Sequence, residues 1–419
     1  MPSNPHPLHH IVRVRTSDDF TYVRDGLMDE VVVNANQLEN SAQSTAAALW
    51  RTTLPFSIDP VLWRFQLPEW SDNGKGDTKR NYKRLGAAYA RGTGLSLGGT
   101  PLLDVVAQDD QWRALAANAI GYQRDRLLAV PTQLDLLANL RELHPARFMA
   151  PSLVAFSDAE DRINRLMFEA AAAALDRPVA AQVIVPLERL VDSGELEKVI
   201  ASCPTDGVSS YFIWAPKVTE ERLLADDAML ASLIHLVGTL ADRGIPVGHE
   251  YANYAVFALR AAGLDAVTHH LGWTDHGEPA DERGGGPRSC RTYVPSVRHC
   301  LRFPEASSLG RPLAADEYRD RFCECAFCMG AFEAGDHPTD LLLQSQPVTV
   351  RGRERQMPTS QAVGANTWHF LLSRRLEVEA FSNDSAADVI KRDIERAAAL
   401  HRDSDASRLL HLAERLPAA

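Results

Sequence analysis

The sequence predicts a closed (β/α)8 barrel of the TIM type, followed by an extension of different character. Two observations carry this expectation. Short β-branched runs alternate with helical segments up to about residue 272, the rhythm of β/α units wrapped around a parallel sheet. No glycine-rich dinucleotide fingerprint follows the first strand, which turns the choice away from an open doubly wound sheet.

The elements follow in order. "DEVVVNANQ" (29–37) reads as a buried strand and "LPFSIDP" (54–60) as the next. "RGTGLSLGG" (91–99) is glycine-rich, but no strand leads into it as a phosphate loop requires. "ARFMAPSLVAF" (146–156) follows the helix-like "PTQLDLLANLREL", and "DAEDRINRLMFEAAAAALD" is a helix with an acidic start and an Ala-rich body. Three strand–helix pairs come next. Strand 177–186 precedes "LERLVDSGELEKVIASC", strand 206–216 precedes a helix ending on Gly244, and strand 245–252 precedes "NYAVFALRAAG". "LDAVTHH" (264–270) is the last strand.

Beyond it the chain turns Gly-, Pro- and charge-rich. The sequence divides into a barrel catalytic domain (1–300), a metal-binding subdomain (301–381) with a helix near 367–381, and an amphipathic helical tail (382–419).

Composition narrows the function classes. The 45% apolar and 24% charged residues are ordinary for a globular protein. No apolar run approaches the roughly 18 residues that span a bilayer, and "MPSNPHPLHHIVRV" lacks a signal-peptide layout, so no membrane partner is expected. Six unevenly spread cysteines do not resemble a secreted disulfide framework and predict a reducing, cytoplasmic location. A net charge of −11 excludes a globally basic nucleic-acid binder while leaving room for a local basic groove.

Barrel chemistry sits where strands end on the C-terminal face. That rule nominates Asp59, Gln182, Lys217, His249, Glu250, His269 and His270. His269 and His270 are adjacent on a strand and point to opposite faces, which argues against a hydrolase using both on one metal.

The most specific signal is "DRFCECAFCMGAF" (320–332). Cys323, Cys325 and Cys328, half of the six cysteines, form a C-x-C-x-x-C run. Thiolates so spaced on a tight loop can converge on one tetrahedral ion, and zinc is the usual occupant of a closed Cys3His site. His337 and His369 are the candidate fourth ligands. A loop knuckle plus one helical His is a common construction, which favours His369. Cys203, Cys290 and Cys300 read as ordinary small residues.

A (β/α)8 barrel followed by "CECAFC" and then by "WHFLLSRRLEVEA" resembles the queuine/archaeosine tRNA-guanine transglycosylases and their DNA-modifying relatives. The resemblance covers about residues 29–381. It implies a pentosyltransferase that exchanges guanine in a nucleic acid for a 7-deazaguanine such as preQ0, with a structural zinc on Cys323, Cys325, Cys328 and His369. It also implies site residues. "SIDPVLWRFQ" offers Asp59 where the family has its general-base Asp, and "AAQVIVP" offers Gln182 where the family reads the base. "GLDAVTHHLGWTD" keeps Gly263 and Asp265, but Thr268 occupies the place of the nucleophilic Asp. The carboxylates left to serve are Asp59, then Asp275 and Glu250, with Lys217 and His249 as substrate-binding candidates. These departures turn the expectation towards DNA, with tRNA as the other polymer.

Base exchange at a sugar C1′ passes through an oxocarbenium-like state. It needs a carboxylate on one face and an acid or base for the leaving and entering bases. A target base must be extruded into the pocket, and backbone contacts must hold the strand around it. Local basic runs supply candidates: Lys75, Lys79, Arg80, Lys83, Arg84 and Arg91, interleaved with Tyr82 and Tyr89; Arg351, Arg353 and Arg355; and Arg288, Arg291, Arg298 and Arg302. Trp214, Trp273 and Tyr211 are the aromatic candidates for stacking a flipped base. The alternative function is a catalytically inactive paralogue that serves as a nucleic-acid-binding or accessory subunit. The family's use of partner subunits adds a second copy of this chain or an accessory protein to the expected partners.

Overall fold

The computed structural model describes residues 6–71, 79–130, 143–175, 177–271, 290–350 and 352–416. Eight strands form one sheet: β1 (His9–Val14), β2 (Glu30–Asn34), β3 (Phe56–Asp59), β4 (Arg147–Phe148), β5 (Val179–Ile184), β6 (Val208–Trp214), β7 (Val247–His249) and β8 (Ala266–His270). The order is β4-β3-β2-β1-β8-β7-β6-β5, and every pairing is parallel. The two ends meet where Met149 bridges Ala180 and the Ala150 N–H donates to the Ala180 carbonyl at 2.8 Å. The chain is a TIM-like barrel.

Two elements depart from the sequence expectation. β1, "HHIVRV", was not foreseen, yet it lies between β2 and β8 and completes the count of eight. β4 pairs over only two residues of the 146–156 segment, a brevity its sequence does not indicate. The reason is that side-chain amides take over the ladder's work. Gln123 brackets the Met149 N–H and C=O, Asn164 those of Leu153, and Gln66 those of Val154, at 2.7–3.0 Å. The backbone is satisfied without a neighbouring strand and can run irregularly. The helix-like segment at 131–142 lies outside the described residues.

Helices ring the barrel: α1 (Ala35–Thr52), α2 (Arg80–Tyr89), α3 (Asp109–Asp125), α4 (Asp158–Ala173), α5 (Ser193–Ser202) and α6 (Asp227–Ala241). Several begin with the expected side-chain caps. Asn34 caps α1, Ser157 caps α4, Asp192 caps α5 and Asp226 caps α6. Gly244, at φ 73, carries the chain out of α6 as its sequence predicts.

Alternation along the strands sets what fills the barrel. Ile11, Val32, Met149, Ala180, Phe212 and Ala266 form a separate apolar cluster inside it. Gly248 belongs to this layer, since a Cβ there would meet the Phe212 ring at 2.8 Å. Below the layer, at the N-terminal end of the strands, Glu30 pairs with His9 and Arg147, each at 3.2 Å. Above it, continuing the same inward rows, come Arg13, Asp59, Gln182, Glu250 and Thr268.

The remainder of the chain packs on the outside. A hairpin, β9 (Arg291–Val294) and β10 (His299–Arg302), leads to α7 (Ala326–Glu333) and to an exposed ribbon, β11 (Ser345–Val350) with β12 (Arg353–Pro358). Then follow α8 (Ser360–Asn383), α9 (Ala386–Ala399) and α10 (Asp403–Ala413). α8 starts earlier than its sequence suggests because Thr359 caps it, accepting from the Ala362 N–H at 3.1 Å. It lies against β1 and β9. One apolar cluster runs from the outer barrel helices through the three adjacent cysteines to the last helices. Among the described residues no helix is long and apolar enough to cross a membrane.

Candidate functional site

At the C-terminal end of the strands four side chains from four different strands converge. Asp59 is the last residue of β3, and Glu250 follows β7, its N–H completing the ladder to the Ile213 carbonyl at 2.7 Å. The Gln182 amide donates to Asp59 Oδ1 at 3.2 Å and to Glu250 Oε1 at 3.1 Å. Ser152 Oγ donates back to Gln182 Oε1 at 3.2 Å, which fixes the amide's orientation. Arg13, from β1, completes the group. Its Nη2 donates to Asp59 Oδ2, and its Nη1 lies 3.3 Å from Glu250 Oε1.

All four are buried, so their charges must be balanced among themselves. One guanidinium faces two carboxyl groups. Burial raises the Glu250 carboxyl to about 7; Arg13 opposes the rise and Asp59 adds to it. Burial would lower the Arg13 guanidinium, but Tyr251, Glu250 and Asp59 outweigh it, so Arg13 stays a permanent cation. Near neutrality the cluster therefore holds a carboxyl that can give or take a proton beside one paired with a fixed cation.

The backbone next to both carboxyls is strained. Val61 sits at φ 47 and Tyr251 at φ 57, left-handed conformations that a β-branched or bulky residue adopts only when its surroundings compel it. The Val61 N–H donates to Asp59 Oδ1 at 3.0 Å, so this strained turn fixes the carboxylate. A row of aromatic rings crosses above. Trp63 lies 4.7 Å from Trp214, Trp214 5.0 Å from Tyr251, and Tyr251 5.2 Å from His270. Trp214 Nε1 and Thr268 Oγ1, both buried, have no hydrogen-bond partner among the described residues.

The second site is the cysteine cluster. Cys323, Cys325, Cys328 and His369 are buried, with one ligand atom from each lying within 4.8 Å of all the others. His369 Nδ1 stands 3.7, 3.4 and 3.4 Å from the sulfurs of Cys323, Cys325 and Cys328. A tetrahedral ion with metal–sulfur bonds of about 2.3 Å and a metal–nitrogen bond of about 2.0 Å separates N from S by roughly 3.5 Å, so the donor set fits such an ion. His369 Nε2 donates to the Tyr293 carbonyl at 2.7 Å, which leaves Nδ1 free to ligate. Cys325 stands at the N-cap position of α7 and Cys328 in its first turn, where burial pushes the Cys328 thiol well above its ordinary range. Hydrogen bonds from Cys323 and Cys328 hold the Cys325 thiol well below its ordinary range. His337 is excluded as the fourth ligand. Its Nδ1 accepts from the Thr339 N–H at 3.2 Å and caps the following short helix.

The sequence candidates separate cleanly. Asp59, Gln182 and Glu250 meet; Lys217 is exposed in the loop after β6, at φ 67. His249 alternates with inward-facing Gly248 and Glu250, and so faces away from the barrel interior and does not join the Asp59–Glu250 group. His269 likewise points outward, its Nε2 2.7 Å from His10 Nε2. Asp275 and Trp273 lie outside the described residues.

Among the basic residues, Arg80, Lys83, Arg84, Arg353 and Arg355 are exposed and Lys79 is half-buried. Lys75, Arg288 and Arg351 lie outside the described residues. Tyr82 and Tyr89 are buried core residues and cannot stack a base, and Tyr211 is buried with its hydroxyl on the Pro204 carbonyl. Arg298 is also removed from any strand track. It binds Asp393 through Nε and Nη2, at 2.9 and 2.7 Å, and Glu377 through Nη1 at 2.7 Å. Tyr293 and Arg374 complete the network on Glu377, which ties β9 and α8 to α9.

The sequence reading missed Arg13. The β-branched "HHIVRV" run was its available signal.

No protein family matches the chain by sequence, and no curated protein matches it. Among solved structures it is similar to the catalytic domain of β-amylase from Paenibacillus polymyxa, with 9% identity and a TM-score of 0.36 over 67% of this chain and 96% of that one. It is also similar to nitroalkane oxidase from Streptomyces ansochromogenes, with 12% identity and a TM-score of 0.29 over 99% of this chain and 97% of that one. At so low a similarity neither bears on the chemistry of this chain.

Proposed function

We propose that this chain is a transglycosylase that exchanges guanine in a nucleic acid, DNA in preference to tRNA, for a 7-deazaguanine base such as preQ0. We assign zinc to the Cys323–Cys325–Cys328–His369 centre as a structural ion. The observation that carries the reading is the convergence of Asp59, Gln182 and Glu250, three positions that the family resemblance or the barrel rule singles out, on one hydrogen-bonded group.

In this reading the extruded nucleotide enters by parting the Trp63–Trp214–Tyr251 row, whose rings then flank the base. Asp59 faces the sugar C1′ and stabilises or captures the oxocarbenium as the C1′–N9 bond breaks. The bonding pair leaves with guanine, and Glu250 gives that base a proton. The incoming 7-deazaguanine returns a proton to Glu250 as its nitrogen bonds to C1′, so the enzyme is restored. Gln182 reads the base edge. Lys79, Arg80, Lys83, Arg84 and Arg353 hold the strand by its phosphates.

A second reading, a non-catalytic subunit, is favoured by Thr268 at the nucleophile's place and by the pairing of Asp59 with Arg13. Labelled preQ0 offered with duplex DNA or with bulk tRNA separates the two. Incorporation that Asp59→Asn abolishes supports exchange; none from metal-loaded protein supports the subunit.

A further inference from the structure

The four candidate ligands are buried, and one of them borders a cleft. A cleft of about 310 Å³ opens between the cysteine loop, α8 and α9. Of the four ligand residues only Cys323 lines it, together with Ser373, whose Oγ is 3.9 Å from the Cys323 sulfur. Cys323 retains 3% exposure, whereas Cys325, Cys328 and His369 retain none. Ser296 also lines the cleft; its buried Oγ has no partner among the described residues and is an oxygen donor on the way in.

Aromatic rings pack around the rest of the cluster. Tyr318 packs edge-on to Phe332 beside the sulfurs, Phe322 of the cleft lining packs tilted against Tyr318, and Phe370 packs against Tyr293 on the His369 side. This cleft reaches a ligand residue directly, through Cys323.

One of the ion pairs in the cleft lining is weak. Glu324, between two ligand cysteines, binds Arg396 of α9 at 2.9 Å with both side chains partly exposed. An ion pair of this kind contributes about 0–1 kcal/mol, so thermal motion breaks it readily.

We infer that this cleft is the route by which the metal ion enters and leaves, and that Cys323 is the exchangeable ligand, the first to be released and the last to bind. This rests on the metal assignment above. When a thiol reagent arrives, Cys323 gives its sulfur lone pair to the reagent. With iodoacetamide an S–C bond forms and iodide leaves with the C–I pair. Cys325, Cys328 and His369 would hold the ion until it departed.

The test uses the full chain with its metal quantified first. The loaded protein is treated with limiting iodoacetamide, and the modified cysteines are mapped against time while a chromogenic chelator follows metal release. Half-buried Cys290 and Cys300 report that the reagent is active. The expected result is Cys323 labelled ahead of Cys325 and Cys328, with release tracking Cys323. Simultaneous labelling of all three, or Cys325 or Cys328 first, would overturn the route. Leu376→Trp, which fills the cleft wall, should slow release several-fold at unchanged metal content; an unchanged rate would also overturn it. Protein isolated without metal would instead remove the metal assignment itself, which the initial quantification reveals.

Discussion

Arg13 and Glu250 face each other across the barrel mouth at 3.3 Å, Nη1 to Oε1, one cation against a carboxyl whose neighbour Asp59 already holds the other half of the guanidinium. This arrangement keeps one proton available in a buried site, and several expectations derive from it.

Removing the cation leaves two buried carboxyl groups with no counter-charge. Arg13→Ala should destabilise the fold by about 3–5 kcal/mol, the usual cost of orphaning a buried charge. Denaturant unfolding measures this. Adding Glu250→Gln to Arg13→Ala should recover part of the loss at pH well above neutrality, where Glu250 would otherwise ionise, and little near pH 7, because Arg13 no longer opposes the rise of its carboxyl.

The pH dependence has a defined sign. Glu250 is raised from the model-peptide value of 4.5 to about 7 in the folded chain, chiefly by burial. Between those values the folded chain holds a proton that the unfolded chain has released. The stability Glu250 contributes is therefore complete below pH 4.5 and is lost as pH rises through about 7. Unfolding of Glu250→Gln across that range should lack this component. An identical pH slope in both proteins would show that Glu250 does not titrate there.

The proposed metal site predicts a sharp contrast between two histidines. His369→Ala should lose bound metal and melt at lower temperature, because the fourth donor and the Nε2 bond to Tyr293 go together. His337→Ala should keep its metal and lose only a helix cap, worth about 1 kcal/mol. Metal analysis of the two purified variants settles the assignment.

These two sites were unequally legible in the sequence. The cysteine run stood out because its ligands are neighbours in the chain, and His369 was reachable because one helix begins before it. Asp59, Gln182 and Glu250 were legible because each ends or nears the end of a strand that hydrophobic pattern alone reveals. Arg13 was not, since its meaning depends on β1 closing between β2 and β8, a register no local pattern encodes. Arg298 failed for a different reason. A basic residue in a polar loop reads as solvated, and only the fold shows that Glu377 and Asp393 wait for it in the core.

The basic surface makes a separate prediction. Lys83 and Arg84 are exposed on α2, and Arg353 stands on the exposed ribbon. Replacing Lys83 and Arg84 with Ala should weaken nucleic-acid binding uniformly across sequences. The salt dependence of log K should flatten by about 0.7–0.9 for each phosphate contact removed. Arg298→Ala, by contrast, should act on stability alone, by about 3–5 kcal/mol, since it leaves Asp393 without its cation and Glu377 with Arg374 alone.

The most direct test of the central claim is transfer of labelled preQ0 by metal-loaded protein into duplex DNA, with bulk tRNA in parallel. The account predicts label in DNA, released guanine in equal amount, loss of both in Asp59→Asn, and a rate in Glu250→Gln that no longer changes near pH 7. Metal-loaded wild-type protein that labels neither polymer and releases no guanine would contradict it.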